Sequence, residues 1–197
     1  MVKYLYLMRH GETLFNVQHK IQGWCDSSLT SKGIAQAKVA GKYFKEQQIE
    51  FDYGYCSTSE RASDTLEIVT EGKLPYQREK GLKEWNFGAF EGKDECLNPK
   101  LPYRDFFVQY GGEDQEEVKQ RLGKTLTRIM QNETHTTILA VSHGGACANF
   151  LRYCLKTDEL KPYTGGKIGN CAIFKFSFED GQFSFEKVIN LDFSKLP

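Results

Sequence analysis

Short apolar runs alternate with stretches of helical period along this chain. Tyr4-Leu5-Tyr6-Leu7-Met8 is apolar without interruption and reads as a short buried strand. Leu29-Thr30-Ser31-Lys32-Gly33 has the make-up of a helix start with Thr30 as N-cap, and Ile34, Ala37, Ala40, Gly41 and Phe44 then share one helical face. Tyr53-Gly54-Tyr55-Cys56 predicts a second strand, followed by a helix from about Glu60 to Glu71 through Thr65, Leu66, Ile68 and Val69. Asp114-Gln115-Glu116-Glu117 resembles a capping box, continued at helical spacing by Val118, Leu122, Leu126 and Ile129. Thr137–Val141 is the strongest strand candidate, and helical pattern resumes from Ala146 to Leu155. Cys171–Phe178 and Phe183–Ile189 flank Glu179-Asp180-Gly181-Gln182 and predict a hairpin. The alternation predicts an α/β protein, with a mainly parallel sheet covered by helices.

One stretch breaks the pattern. Glu91 to Gly112 holds Pro99, Pro102 and a Gly111-Gly112 pair, with Tyr103, Phe106, Phe107 and Tyr110 between them. A satellite core beneath a long loop is the favoured expectation, and a lid over a site is the other.

Composition narrows the class. The 197 residues fit one domain spanning 1–197, and 40% hydrophobic with 26% charged residues is ordinary for a soluble globular protein. Lys+Arg and Asp+Glu number 26 each, so no basic surplus points to nucleic acid or to an anionic membrane. The six cysteines are scattered without zinc-ligand spacing, and Cys56 and Cys147 lie in apolar patterns as small core residues. The N-terminal apolar run is too short for a signal peptide or a membrane span, so cytoplasmic residence is expected.

The chemistry sits at predicted strand ends, where α/β proteins place their sites. Arg9-His10-Gly11-Glu12 follows the first strand, Ser57-Thr58-Ser59-Glu60-Arg61 the second, and Ser142-His143-Gly144-Gly145 follows Thr137–Val141. Leu82-Lys83-Glu84-Trp85-Asn86-Phe87-Gly88 adds a carboxylate in an aromatic loop. Gly11 would let the backbone turn tightly or approach a ligand. An unprotonated imidazole has a lone pair and can act as a nucleophile, while arginines offer planar multi-donor contacts to an oxyanion.

These blocks, with Thr13, Asn16, Gln22-Gly23, Asp26, Leu29-Thr30, Gly33 and Gln36-Ala37 in order, resemble the histidine phosphatase superfamily, also called the phosphoglycerate-mutase-like family. The resemblance runs from Leu7 to about Asn170 and implies a three-layer α/β/α sandwich. It implies a phosphoric monoester hydrolase acting through a phosphohistidine on a small-molecule phosphate ester, with no cofactor and no metal. Under it His10 is the nucleophile, Arg9, Arg61 and His143 hold the phosphoryl group, and Glu84 is the acid that later activates water. Asn16, Gln22, Gly23 and Gly144 are the further expected substrate contacts.

For Asn16, stabilising a turn is an equal alternative, as is helix capping near Glu60 for Ser57. Glu12 could orient Arg9 by an ion pair, and His19 and His135 are expected to be exposed. The two arginines should depress the pKa of His10, whereas an aromatic setting and bound dianion should raise that of Glu84.

Two activities in the family share this constellation, phosphatase and mutase. The mutases have a longer insertion after the acid, with basic residues for the substrate carboxylate. Here that region is short and mixes Lys93, Lys100 and Arg104 with Asp94, Glu95 and Asp105. Gly144-Gly145 also stands where the mutases typically have Gly-Asn. Both departures favour a phosphatase, with phosphoglycerate mutase as the alternative. A catalytically silent phosphate-binding module would have no use for Glu84 beside the anion, and an interaction protein built on the aromatic loop would act on no phosphoester. The oligomeric state stays open, a homodimer included.

Overall fold

The structure is a computed structural model that describes residues 1–166 and 168–196. Its elements in chain order are β1 (Lys3–Arg9), α1 (Leu14–Val17), α2 (Ser31–Glu46), β2 (Tyr53–Cys56), α3 (Glu60–Thr70), β3 (Tyr76–Arg78), α4 (Gln115–Gln131), β4 (Thr137–Ser142), α5 (Gly144–Leu155), α6 (Lys161–Thr164), β5 (Ile173–Glu179) and β6 (Gln182–Ile189). The six strands form one sheet in the order β3-β2-β4-β1-β5-β6. β3, β2, β4 and β1 are mutually parallel, while β5 pairs antiparallel with β1 and with β6. The expected hairpin is therefore the antiparallel end of a mostly parallel sheet. Asp180 and Gly181 both have positive φ at its tip (51° and 78°), the signature of a tight type I′ connection.

Strand alternation explains the layers. In β1, Leu5 and Leu7 face one side and Tyr6 and Met8 the other, because successive side chains point to opposite faces. The first pair joins a core with Ile138, Ala140, Leu122 and Leu126 of α4 and Phe150 of α5. The second joins a core with Leu139, Val141, Ala37 and Phe44 of α2 and Leu66 of α3. Strands buried on both faces read as continuous apolar runs, which is why β1 and β4 are the plainest in the chain. Among the described residues no helix is long and apolar enough to cross a membrane.

Helix caps match the chemistry of their residues. Thr30 accepts from the Gly33 N–H at the start of α2, and Asp114 and Glu117 form a reciprocal capping box on α4. Two starts differ from expectation. α5 begins at Gly144, two residues before Ala146, because its first turn is the glycine pair that low helix propensity conceals. α3 is capped at Ser59 with no side-chain bond, and Ser57 Oγ instead accepts from the Ser59 N–H at 3.3 Å.

Two exposed-residue expectations separate. His19 is exposed, but His135 is buried, with Nδ1 3.1 Å from the Ile129 carbonyl and its ring stacked 5.5 Å from Tyr53. The aromatic middle stretch packs into the main α4–α5 core and is not a separate satellite. Phe107 is fully buried, and Phe87, Phe90, Tyr103 and Phe106 surround it edge-to-face at 4.9–5.5 Å. Removing Phe107 should leave a cavity of aromatic size. Phe107→Ala is expected to cost about 3–5 kcal/mol in urea unfolding. A loss under about 1 kcal/mol would mean that the stretch is a loosely seated lid.

Candidate active site

The four parallel strands lead from their C-terminal ends to residues that line one cleft or lie buried beside it. β1 ends in Arg9 and runs on to His10, β4 ends in Ser142 beside His143, β2 leads through Ser57 to Arg61 on α3, and the chain beyond β3 reaches Glu84. The cleft has a volume of about 830 Å³, and Arg9, His10, Asn16, Gln22, Glu84 and Gly144 border it. Arg61 and His143 lie in a fully buried layer beside them.

The hydrogen bonds select one tautomer for each imidazole. His10 Nδ1 is 2.7 Å from the Gly11 carbonyl, which only accepts, so Nδ1 carries the proton and Nε2 keeps its lone pair. His143 is set the other way. Arg61 Nε donates to its Nδ1 at 3.1 Å, so the proton is on His143 Nε2. The two rings meet edge-on with centroids 5.3 Å apart. A nitrogen with a free lone pair and an N–H donor thus lie on neighbouring rings.

Burial holds both imidazoles neutral. It depresses the pKa of each first, and the Arg61 and Arg9 charges add to the effect. The depression expected from the arginines is present for His10, with burial the larger cause. Glu84 is shifted upward by burial, against two backbone N–H bonds and the arginines that oppose it. Its Oε1 accepts from the Trp85 N–H and its Oε2 from the Gly145 N–H, both at 2.8 Å. Gly145 brings its backbone close to the carboxylate, and a Cβ there would stand 2.7 Å from Glu84 Oε1.

The arginines differ in what they can offer a ligand. Arg61 Nε serves His143, Nη1 donates to the Cys25 carbonyl and to Asp26, and Nη2 donates to the Gly23 carbonyl. These four bonds leave one of the five guanidinium N–H groups. Arg9 donates from Nη1 to the Ile168 carbonyl at 2.6 Å, and its buried Nε has no partner. Among the described residues, the buried side-chain polar atoms without a partner are Arg9 Nε, His143 Nε2, Asn98 Oδ1 and Arg152 Nε. Buried donors are almost always satisfied, so orphans gathered around one cleft point to a ligand.

Other expected residues take supporting places. Asn16 closes the α1 capping box with Thr13 and accepts from Asn170 Nδ2 at 3.1 Å, which is the turn-stabilising alternative, while still bordering the cleft. The Gln22 side chain bonds Thr13 and Ser27, and Gly23 contributes its carbonyl to Arg61. Glu12 does not pair with Arg9; its carboxylate bonds Thr30 and Lys32. Gly11 approaches α2 closely, since a Cβ there would meet the Gly33 carbonyl oxygen at 2.5 Å.

Sequence reasoning missed the supports. The Glu91 carboxylate accepts from the backbone N–H groups of Gly23, Trp24, Cys25 and Phe87 at 2.7–3.0 Å. Arg121 donates to the carbonyls of Gly81, Lys83 and Glu84 and pairs with Glu113. A charge between Val118 and Leu122 on the apolar side of α4 was the available signal for Arg121; Glu91 left none. Among the described residues no group of three His, Cys, Asp or Glu side chains is placed to hold a metal ion.

Residues 5–191 match the family described as the histidine phosphatase superfamily (branch 1). A phosphoglycerate mutase from Bacillus anthracis is similar at 26% identity and TM-score 0.82, over 94% of this chain and 92% of that one. YhfR of Bacillus stearothermophilus shares 30% identity at TM-score 0.80, over 92% and 94%. A phosphoserine phosphatase from Entamoeba histolytica, solved with 3-phosphoglyceric acid, shares 30% identity at TM-score 0.78, over 95% and 97%.

The buried imidazoles make stability depend on pH. Below about 6.5 the unfolded chain binds protons that the folded one does not, so each ring adds stability as pH rises toward that value. Each contributes up to about 1.4 kcal/mol per pH unit between its depressed value and about 6.5. Glu84 runs the other way, favouring the fold most below about 4.3 and less as pH rises through its elevated value. In His143→Asn the amide oxygen keeps an acceptor for Arg61 while the titrating group is gone. The rise in urea midpoint from pH 5.5 to 7 is expected to shrink in that variant; an unchanged rise would contradict a buried neutral His143.

Proposed function

The chain belongs to the histidine phosphatase superfamily (branch 1), and on that footing we propose that it is a phosphoric monoester hydrolase working through a phosphohistidine on a small organic phosphate. The observation that carries the proposal is the pair of opposite tautomers, a free lone pair on His10 Nε2 beside an unpartnered N–H on His143 Nε2.

The chemistry follows from the geometry. Arg9 Nε, His143 Nε2 and the remaining Arg61 N–H donate to the phosphoryl oxygens. They offset the dianion's charge where the loose transition state carries it. His10 Nε2 attacks phosphorus in line, the P–O bond to the alcohol breaks, and Glu84 gives its proton to the departing oxygen. The Glu84 carboxylate then takes a proton from water as the water oxygen attacks phosphorus. The P–N bond breaks, and inorganic phosphate leaves with His10 and Glu84 restored. The elevated Glu84 pKa suits this double duty, because an acid at its usual value would hold little proton near neutrality.

A second reading rests on the Bacillus anthracis relative. A mutase would return the phosphoryl group to another hydroxyl of a phosphoglycerate. Assaying a phosphoglycerate for isomer formation against free phosphate separates the two, with phosphate release expected to dominate.

Two variants test the assigned roles. His10→Ala is expected to abolish turnover of every phosphomonoester. Glu84→Gln should slow alkyl phosphates about 10²–10⁴-fold and p-nitrophenyl phosphate far less, since only the poor leaving group needs a proton. Equal slowing of both would remove the acid assignment, and near-normal turnover by His10→Ala would remove the nucleophile.

A further inference from the structure

A bound phosphoryl group accounts for Arg9 Nε and His143 Nε2, but not for the other two orphans, Arg152 Nε and Asn98 Oδ1. Both residues line the same cleft. Arg152 belongs to α5, whose Gly145, Ala148, Asn149 and Arg152 recur at i, i+3, i+4 and i+7 and all border it. This face of α5 is one wall of the cleft. It starts at Gly145, which holds the Glu84 carboxylate, and reaches Arg152 seven residues later. At 1.5 Å per residue that is about 10 Å along the helix.

The guanidinium at the far end is set up for an anion. Its side chain is 17% exposed, and Nη1 donates to Asn149 Oδ1 at 3.2 Å. The nearest carboxylate, Asp158, is 3.9 Å from Nε, beyond hydrogen-bond reach, and its side chain is 81% exposed. A largely buried cation with an idle donor is costly unless a partner arrives. The lining of the same cleft includes Leu101, Pro102, Tyr103, Leu160 and Ile168, which offer contact to carbon, beside the cations of Lys20 and Lys161.

Resting on the phosphatase reading, we propose that the α5 face ending at Arg152 is a specificity subsite, taking phosphomonoesters whose alcohol part is an apolar or aryl spacer ending in a carboxylate. Arg152 meets that carboxylate through its planar fork. Asn98 Oδ1 accepts from any hydroxyl or amine the spacer carries. Glu159 and Asp158 stand near the same end and make the pocket selective for a single acid over a polyanion.

The test uses two synthetic aryl phosphates with matched leaving groups, 4-(phosphonooxy)phenylpropanoate and its neutral methyl ester. The wild-type chain is expected to favour the acid at least 10-fold in kcat/KM, chiefly through KM. Arg152→Gln should bring the ratio near one, and Arg152→Lys should restore part of it, with thermal melting confirming that both variants fold. Arg152 also borders a second hollow beneath the β5–β6 hairpin. If its anion arrives from that side, or if none does, the ratio will be near one in the wild type or unchanged in Arg152→Gln, and the subsite is wrong. Failure of the wild type on both esters would instead overturn the phosphatase reading itself.

Discussion

Arg61 has none of its side chain in water, and the geometry of the site follows from how that charge is satisfied. An unpaired buried guanidinium would cost several kcal/mol. This one is answered by Asp26 at 2.8 Å and by two carbonyls of the Gly23–Cys25 turn. Because the charge cannot be left unanswered, the turn must lie against α3, and Arg61 Nε must point at His143. That single bond sets the His143 tautomer, and the tautomer decides which ring nitrogen is free to donate. An electrostatic demand of the interior is thereby converted into the orientation of a group at the cleft.

The rest of the arrangement keeps this hub rigid. Glu91 gathers four backbone N–H groups and fixes the turn whose carbonyls hold Arg61. On the far side, Arg121 and Glu113 clamp the 81–86 segment, and Trp24 Nε1 adds a bond to the Glu84 carbonyl at 3.0 Å. Glu84 is held at the N-terminus of α5 by the Gly145 N–H, in a place dry enough to raise its pKa despite the helix and the arginines. Burial is the common cause. It makes the imidazoles neutral, the carboxyl protonatable and every contact to an arriving anion stronger. Preorganised donors in a dry cup are what phosphoryl transfer asks of a protein.

Much of this was legible in the chain. β1, β2 and β4 are apolar runs that end in the residues of the cleft, so strand ends and chemistry announce each other. β3 was not legible, because Tyr76-Gln77-Arg78 is a three-residue edge strand with two exposed positions and so no apolar signal. The four-residue helices α1 and α6 are too short to show a period. The individual positions of Arg9, His10, Arg61, Glu84 and His143 could be named in advance. The division of labour between the arginines could not, since it depends on carbonyls of a turn remote in sequence. For the same reason Glu91 and Arg152 look like ordinary surface charges until folding brings their partners. Local pattern reports what a residue repels or buries, and long-range hydrogen bonds leave little trace in it.

The central claim is that His10 Nε2 becomes covalently phosphorylated during turnover. It is tested most directly by mixing the protein with labelled p-nitrophenyl phosphate, quenching in alkali within the first turnovers, and locating the label by peptide mass spectrometry. The account predicts a stoichiometric burst of label on the peptide containing His10, borne on Nε2 and lost in acid. Steady hydrolysis with no protein-bound label, or label on His143 or Glu84, would contradict it.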